Sequence, residues 1–152
     1  MKKIILISCS SKKNKSKTIA RNLYNSPLFN LSLEYAEKLK PDFIFILSAE
    51  HHLVELDMVL EPYDTTLSIV SKKDRLKNPH LKVLNENEKS IWGEKVLEQL
   101  SRIIDFKNDQ IIILAGNEYF KPLSSKIDIS SMILKGRIGE RLQFLKNEIS
   151  SN

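Results

Sequence analysis

Three stretches of the chain run through apolar residues without interruption and then stop at small or polar ones. They are KIILIS (3–8), DFIFILS (42–48) and DQIIILAG (109–116). A strand with one wet face alternates apolar and polar positions, whereas a strand covered on both faces does not. Continuous runs rich in β-branched residues therefore predict the buried strands of a parallel sheet. Their endings are Ser8-Cys9-Ser10-Ser11, Ser48-Ala49-Glu50-His51 and Ala115-Gly116-Asn117. In a parallel sheet all three endings lie along one edge.

Helical spacing fills the gaps between the runs. Ser26 and Pro27 read as the cap and first position of a helix over 27–39, with Leu28, Leu31, Tyr35 and Leu39 on one face and Pro41 as its stop. A second helix is predicted over 86–104. Its apolar face would hold Ile91, Val96, Leu97, Leu100, Ile103 and Ile104, with Glu94 and Lys95 turned outward. A third begins near Glu118, and a last one spans 138–149 through Leu142 and Leu145. Residues 53–84 show little periodicity and carry Pro62, Pro79 and the basic stretch Lys72-Lys73-Asp74-Arg75. An irregular segment of that length usually serves a function. The order of elements predicts an α/β fold, a three-layer sandwich around a small, mostly parallel sheet of Rossmann-like, doubly wound kind. Such sheets bind ligands in the crevice outside the carboxyl ends of their strands.

Composition narrows the class. At 152 residues, 41% hydrophobic and 28% charged, the chain has the size and make-up of one globular domain, 1–152. The apolar run behind Met1-Lys2-Lys3 ends at Ser8, too soon for the core of a secretory signal, and no run approaches the roughly 18 residues of a membrane span. A lone cysteine, Cys9, excludes an internal disulfide and fits a reducing compartment, so a cytosolic protein is expected. The net charge of +5 matters mainly through its distribution. Lys12, Lys13, Lys15, Lys17 and Arg21 lie together with no acidic residue among them. A patch of this kind attracts phosphates, though a solvated lysine-rich loop is the plain alternative.

Chemistry would gather at the strand endings. The loop from Ser8 to Lys13 offers backbone N–H groups, the Ser10 hydroxyl, Lys12 and Lys13 as a cradle for phosphate or carboxylate. It lacks the glycines and the GK[ST] ending of a P-loop, and no GxGxxG follows any strand. Cys9 is either a thiolate nucleophile activated by its lysine neighbours or an inert buried cysteine. His51 and His52 are adjacent and so point to different sides; they make no metal motif, and neither metal nor cofactor is expected. One of them would face the crevice as a proton carrier, beside Ser48 and Glu50. Tyr63 is a candidate for stacking on a base, and Asp64 for a general base, unless the stretch is a plain turn. Gly116 permits close approach of backbone to ligand, and Tyr119 would face either crevice or core. Arg137 and Gly139 would form an anion site where the last helix starts, although a glycine turn explains that stretch equally well.

These landmarks fall into blocks. They are Cys9-Ser10-Ser11-Lys12-Lys13, Leu23-Tyr24-Asn25-Ser26-Pro27-Leu28-Phe29, Leu47-Ser48-Ala49-Glu50-His51-His52-Leu53, Pro62-Tyr63-Asp64-Thr65-Thr66-Leu67, and Ala115-Gly116-Asn117-Glu118-Tyr119-Phe120-Lys121-Pro122-Leu123, followed by 136–145. In that order, over nearly the whole length, the chain resembles a bacterial domain family of unknown function. The family pattern has glycine where His52 stands. The family is distantly similar to the peroxide-stress YaaA proteins and to the core domain of archaeosine synthase, which resemble the uracil-DNA-glycosylase-like α/β arrangement. The resemblance implies nucleobases, nucleotides or nucleic acid as ligands.

Residues and resemblance together lead to two expectations. The first is an enzyme acting on a nucleotide, nucleoside or modified base, with hydrolysis of an N-glycosidic bond as its reaction. Asp64 or Glu50 would position water, His51 would stabilise the leaving base, Tyr63 would stack on it, and Ser10, Lys12 and Gly116 would hold phosphate or ribose. The second is a nucleic-acid- or nucleotide-binding protein without turnover, in stress response or DNA maintenance. A scaffold that self-associates through Ile91 and Trp92 is a third class.

Overall fold

Ile4, Ile5, Leu6 and Ile7 are buried completely or all but completely. They form β1 (Lys3–Ser8), the strand around which the chain is arranged in this computed structural model, which describes residues 1–151. After β1 come β2 (Thr18–Ile19), α1 (Ala20–Leu23), α2 (Pro27–Lys38), β3 (Phe43–Ser48), β4 (His52–Glu55), β5 (Val59–Leu60) and β6 (Thr65–Thr66). The second half holds α3 (Lys72–Lys77), β7 (Lys82–Val83), α4 (Glu86–Ser101), β8 (Gln110–Leu114), α5 (Asn117–Phe120) and α6 (Ile138–Ser150), with 3-10 turns at Lys121–Leu123 and Ile129–Ser131.

A mixed sheet of four strands runs in the order β4-β3-β1-β8. β1 is parallel to both neighbours, pairing Ile4 with Phe43 on one side and with Ile111 on the other. Two aspartates set its starting edge. The Asp42 carboxylate accepts from the Lys3 backbone N–H at 2.7 Å, and Asp109 accepts from that of Lys2 at 2.8 Å. The two flanking strands therefore both begin behind an aspartate, as the sequence runs do. From β1 the chain crosses to β3 on one side, and from β4 it returns through α4 to β8 on the other. Connections diverge at β1, the kind of position where α/β sheets leave a crevice.

Helix boundaries follow local capping. The Ser26 hydroxyl accepts from Phe29 N–H at 3.1 Å ahead of α2, and Asn85 with Glu88 forms a reciprocal capping box on α4. The core side of α4 is Trp92, Val96 and Leu100; Ile91, expected there, is 45% exposed. The helix closes at Ser101, three residues short of the expected end, and the third expected helix is the single turn α5. Trp92 is buried and donates its indole N–H to the Ser48 carbonyl at 2.8 Å, which removes it as a self-association surface. α2 and α6 pack on each other, and no helix among the described residues is long and apolar enough to cross a membrane.

Three of the four residues of the edge strand β4 fall inside the segment 53–84, which shows no period because four residues are too few to display one. Gln99 of α4 covers it, accepting from Leu53 N–H at 3.0 Å and thereby giving the edge a side-chain substitute for a further strand. Between β3 and β4 lies a three-residue turn closed by the His51 N–H on the Ser48 hydroxyl at 2.9 Å. The next residue, His52, takes φ 66°. That left-handed conformation is the one a short hairpin loop requires and glycine adopts without penalty.

Replacing His52 by glycine should relieve this strain and stabilise the protein by about 0.5–1 kcal/mol. Burial, followed by the nearby Lys95, also holds the His52 imidazole below its usual 6.5. A depressed value means the native state resists protonation, so stability falls as pH drops below 6.5. The advantage of His52→Gly over the parent, measured by urea unfolding, should therefore be larger at pH 5 than at pH 8.

Candidate functional site

The carboxyl ends of β1 and β8 open into a crevice of 570 Å³. Cys9 leaves β1 with its backbone N–H on the Leu47 carbonyl at 3.0 Å, which ties this exit to the end of β3. Its sulfur lies 3.3 Å from the Tyr119 hydroxyl, which ties the same exit to the turn after β8. The three strand endings thus stand next to one another, but only those of β1 and β8 line the crevice. Crevice walls come from Ser10 and Ser11 after β1, Ser26 and Phe29 at the start of α2, Gly116 to Tyr119 after β8, and Ile138, Arg141 and Leu142 of α6.

Arg141 is the cation of this crevice. Its Nε donates to the Gly136 carbonyl at 3.0 Å, which fixes the side chain across the opening of α6. Gly136 takes φ +83°, a conformation that turns the chain sharply into the helix. The guanidinium then lies against Gly116, where a Cβ would stand 3.0 Å from Nη1. Arg137 does not share this place. It is the exposed N-cap residue of α6, its backbone N–H donating to Glu140 at 3.3 Å. Gly139 is exposed, with nothing near its Cα face. Positions 138, 141, 142 and 145 share a helical face and Leu145 is buried, so helical spacing is the signal that distinguishes Arg141 from the expected Arg137.

Glu118 is the only carboxylate on the crevice wall among the described residues. Its Oε2 lies 2.9 Å from Nζ of the buried Lys89, and Lys121 stands 3.7 Å from the other oxygen. The Lys89 hydrogen bond holds this carboxyl below the usual 4.5, so it is ionised at neutral pH.

A second constellation sits behind the crevice. The buried Ser48 hydroxyl donates to Tyr63 Oη at 2.7 Å, and Tyr63 and Tyr24 share a hydrogen bond of 2.6 Å. Lys13 Nζ stands 4.3 Å from the Tyr63 ring centre, a cation–π contact, and burial lowers its pKa against the opposing pull of Cys9 and Asp64. His51 is exposed and meets Tyr63 edge-on at 5.3 Å. Burial pushes the phenols of Tyr24, Tyr63 and Tyr119 upward, with Cys9 adding to each. They stay neutral.

Of the expected site residues, Cys9, Ser10, Gly116 and Tyr119 line the crevice, and Ser48, Tyr63 and Lys13 form the adjoining cluster. Lys12 is exposed and contributes its carbonyl, which accepts from the Ser10 hydroxyl at 2.7 Å. The expected catalytic trio does not line the crevice. Glu50 accepts from the Thr65 hydroxyl and borders a separate groove of 300 Å³ with His52, Lys82 and Lys95. Asp64 is exposed beside that groove, and its backbone carbonyl accepts from the Lys82 N–H. Tyr24 was not anticipated, because only the folding of 53–84 over β3 brings Tyr63 to it. Among the described residues no three His, Cys, Asp or Glu side chains gather as metal ligands would.

Fold and crevice together define an α/β protein with a recess at its strand ends that holds one cation and one carboxylate between apolar walls. The chain belongs to the family of unknown function DUF6884, whose model matches residues 4–147. No curated protein and no solved structure matches it.

Gly116→Ala tests the close approach of Arg141. The backbone at Gly116, φ −80° and ψ 172°, suits alanine, so stability should change by no more than about 0.5 kcal/mol. The methyl group must displace a flexible guanidinium rather than backbone. Titration with inorganic phosphate, followed on the Arg141 Nε–H resonance, should show several-fold weaker binding in the variant.

Proposed function

We propose that the chain is an enzyme acting on a nucleotide, nucleoside or modified nucleobase, with hydrolysis of an N-glycosidic bond as its reaction. The observation that carries this reading is the crevice itself, where Arg141 and serine hydroxyls face an ionised Glu118 across a partly apolar recess. A phosphate suits the Arg141 fork, the Ser11 hydroxyl and the amino end of α2. A base or sugar suits the apolar wall of Leu28, Phe29 and Leu142. Glu118 is assigned to orient the attacking water, in place of Asp64, Glu50 and His51, which stand outside the crevice. Lys89 keeps it ionised for that task. The three-layer, uracil-DNA-glycosylase-like arrangement expected from the sequence accords with this reading and forms part of the proposal.

Incubation with a panel of nucleosides, nucleotides and modified bases, with product analysis, should reveal release of a free base. Glu118→Gln should lower kcat by about 100-fold or more with KM little changed, while Arg141→Ala should raise KM for phosphorylated substrates. Absence of turnover across the panel, with ligand binding unaltered by Arg141→Ala, would overturn the reading.

One feature favours a nucleic-acid partner without turnover. Every residue from Ser71 to His80 is exposed, and α3 within it presents Lys72, Lys73, Arg75 and Lys77 against Asp74 alone. On that reading, affinity for single-stranded DNA should fall steeply between 50 and 200 mM salt, by about tenfold or more, and charge reversal at Lys73 and Lys77 should flatten the slope. Salt-independent binding would remove it.

A further inference from the structure

Arg141 stands on a wall between two recesses. One is the crevice. The other is an open cleft of 990 Å³, lined by Ile129, Met132, Ile133, Leu134 and Phe144, which shares both Asn117 and Arg141 with the crevice. The cleft lies along the 3-10 turn Ile129–Ser131 and the chain that follows, held to the sheet by a parallel bridge between Met132 and Ile113. Ile129 is 68% exposed on its rim.

The guanidinium is poised to serve both sides. Nε is committed to the Gly136 carbonyl, and the two terminal amino groups meet no protein acceptor among the described residues. Such an open fork matches two phosphate oxygens at once. Glu118 does not compete for it, being engaged by Lys89 and Lys121. On either side the walls turn apolar, with Leu28, Phe29 and Leu142 in the crevice and Met132, Ile133 and Phe144 in the cleft. Each recess falls in the size range of a small-molecule site, so each has room for one nucleoside.

A phosphate with one arm leaves one of these recesses open. We propose that the ligand is a phosphodiester joining two ring-bearing arms, a dinucleoside monophosphate unit, with its phosphate on Arg141 and one arm in each recess. This rests on the reading of the crevice as a nucleotide site and narrows it from single nucleotides to a linked pair.

Calorimetric titration should compare adenylyl-adenosine with the methyl ester of adenosine 5′-monophosphate. The two carry the same single charge and differ in the second arm. The linked pair should bind about tenfold or more tighter. Met132→Gln and the surface change Ile129→Asn should each erase most of that difference while leaving the methyl ester within about twofold. Arg141→Ala should weaken both ligands. Equal affinity of the two ligands for the parent protein, or a difference that both cleft variants preserve, overturns the two-armed ligand and leaves the crevice reading standing. Failure of both ligands to bind overturns the two together.

Discussion

Four side chains at the middle of β1, Ile4 to Ile7, must lose their water on both faces, and this demand shapes the molecule. Burial of that much apolar surface is worth on the order of 10 kcal/mol as an upper estimate, comparable with the whole net stability of a domain. β1 therefore cannot sit at an edge. With β3 and β8 both parallel to it, Asp42 and Asp109 locking its start on either side, the three strands must finish level. Cys9, emerging from the middle strand, is then within reach of Leu47 on one side and Tyr119 on the other. The crevice is a consequence of where the sheet stops.

That much was legible in the chain, because burial on two faces leaves a mark that needs no long-range information. Runs without alternation announced the three parallel strands, and Ser26-Pro27 announced the start of α2. Contacts made by residues 53–84 were not legible. Thr65–Thr66 pairs with Lys82–Val83, and Val59–Leu60 with Thr18–Ile19, in stretches of two residues that no period can betray. Tyr24 carries no signal in the sequence for the same reason, since its partner Tyr63 arrives through that fold. Arg141 is a different case. The face it shares with Leu142 and Leu145 follows from helical spacing, while the glycines and charge near Arg137, one turn earlier, mimic an anion site.

The tyrosine cluster explains why the expected catalytic residues lie off the crevice. Ser48, Tyr63 and Tyr24 join hydroxyl to hydroxyl, so the end of β3 clamps the returning segment rather than lining the crevice. Glu50 and His51 follow Ser48 and are carried with it toward Thr65 and Tyr63. Because burial keeps the phenols neutral, the cluster holds by hydrogen bonds and by Lys13 on the Tyr63 face, and it brings no negative charge to the crevice.

Charge in the crevice is arranged by pairing outside it. A free carboxylate and a free guanidinium sharing one recess would seek each other and cancel. Lys89, buried on α4, takes Glu118 at 2.9 Å, and the exposed Lys121 takes the other oxygen. Arg141 is meanwhile turned by its bond to the Gly136 carbonyl. A positive end and a negative end therefore persist side by side. For a ligand that brings an anion and needs a water activated nearby, this separation is the useful property. It depends on Lys89, a residue that lies outside the crevice walls.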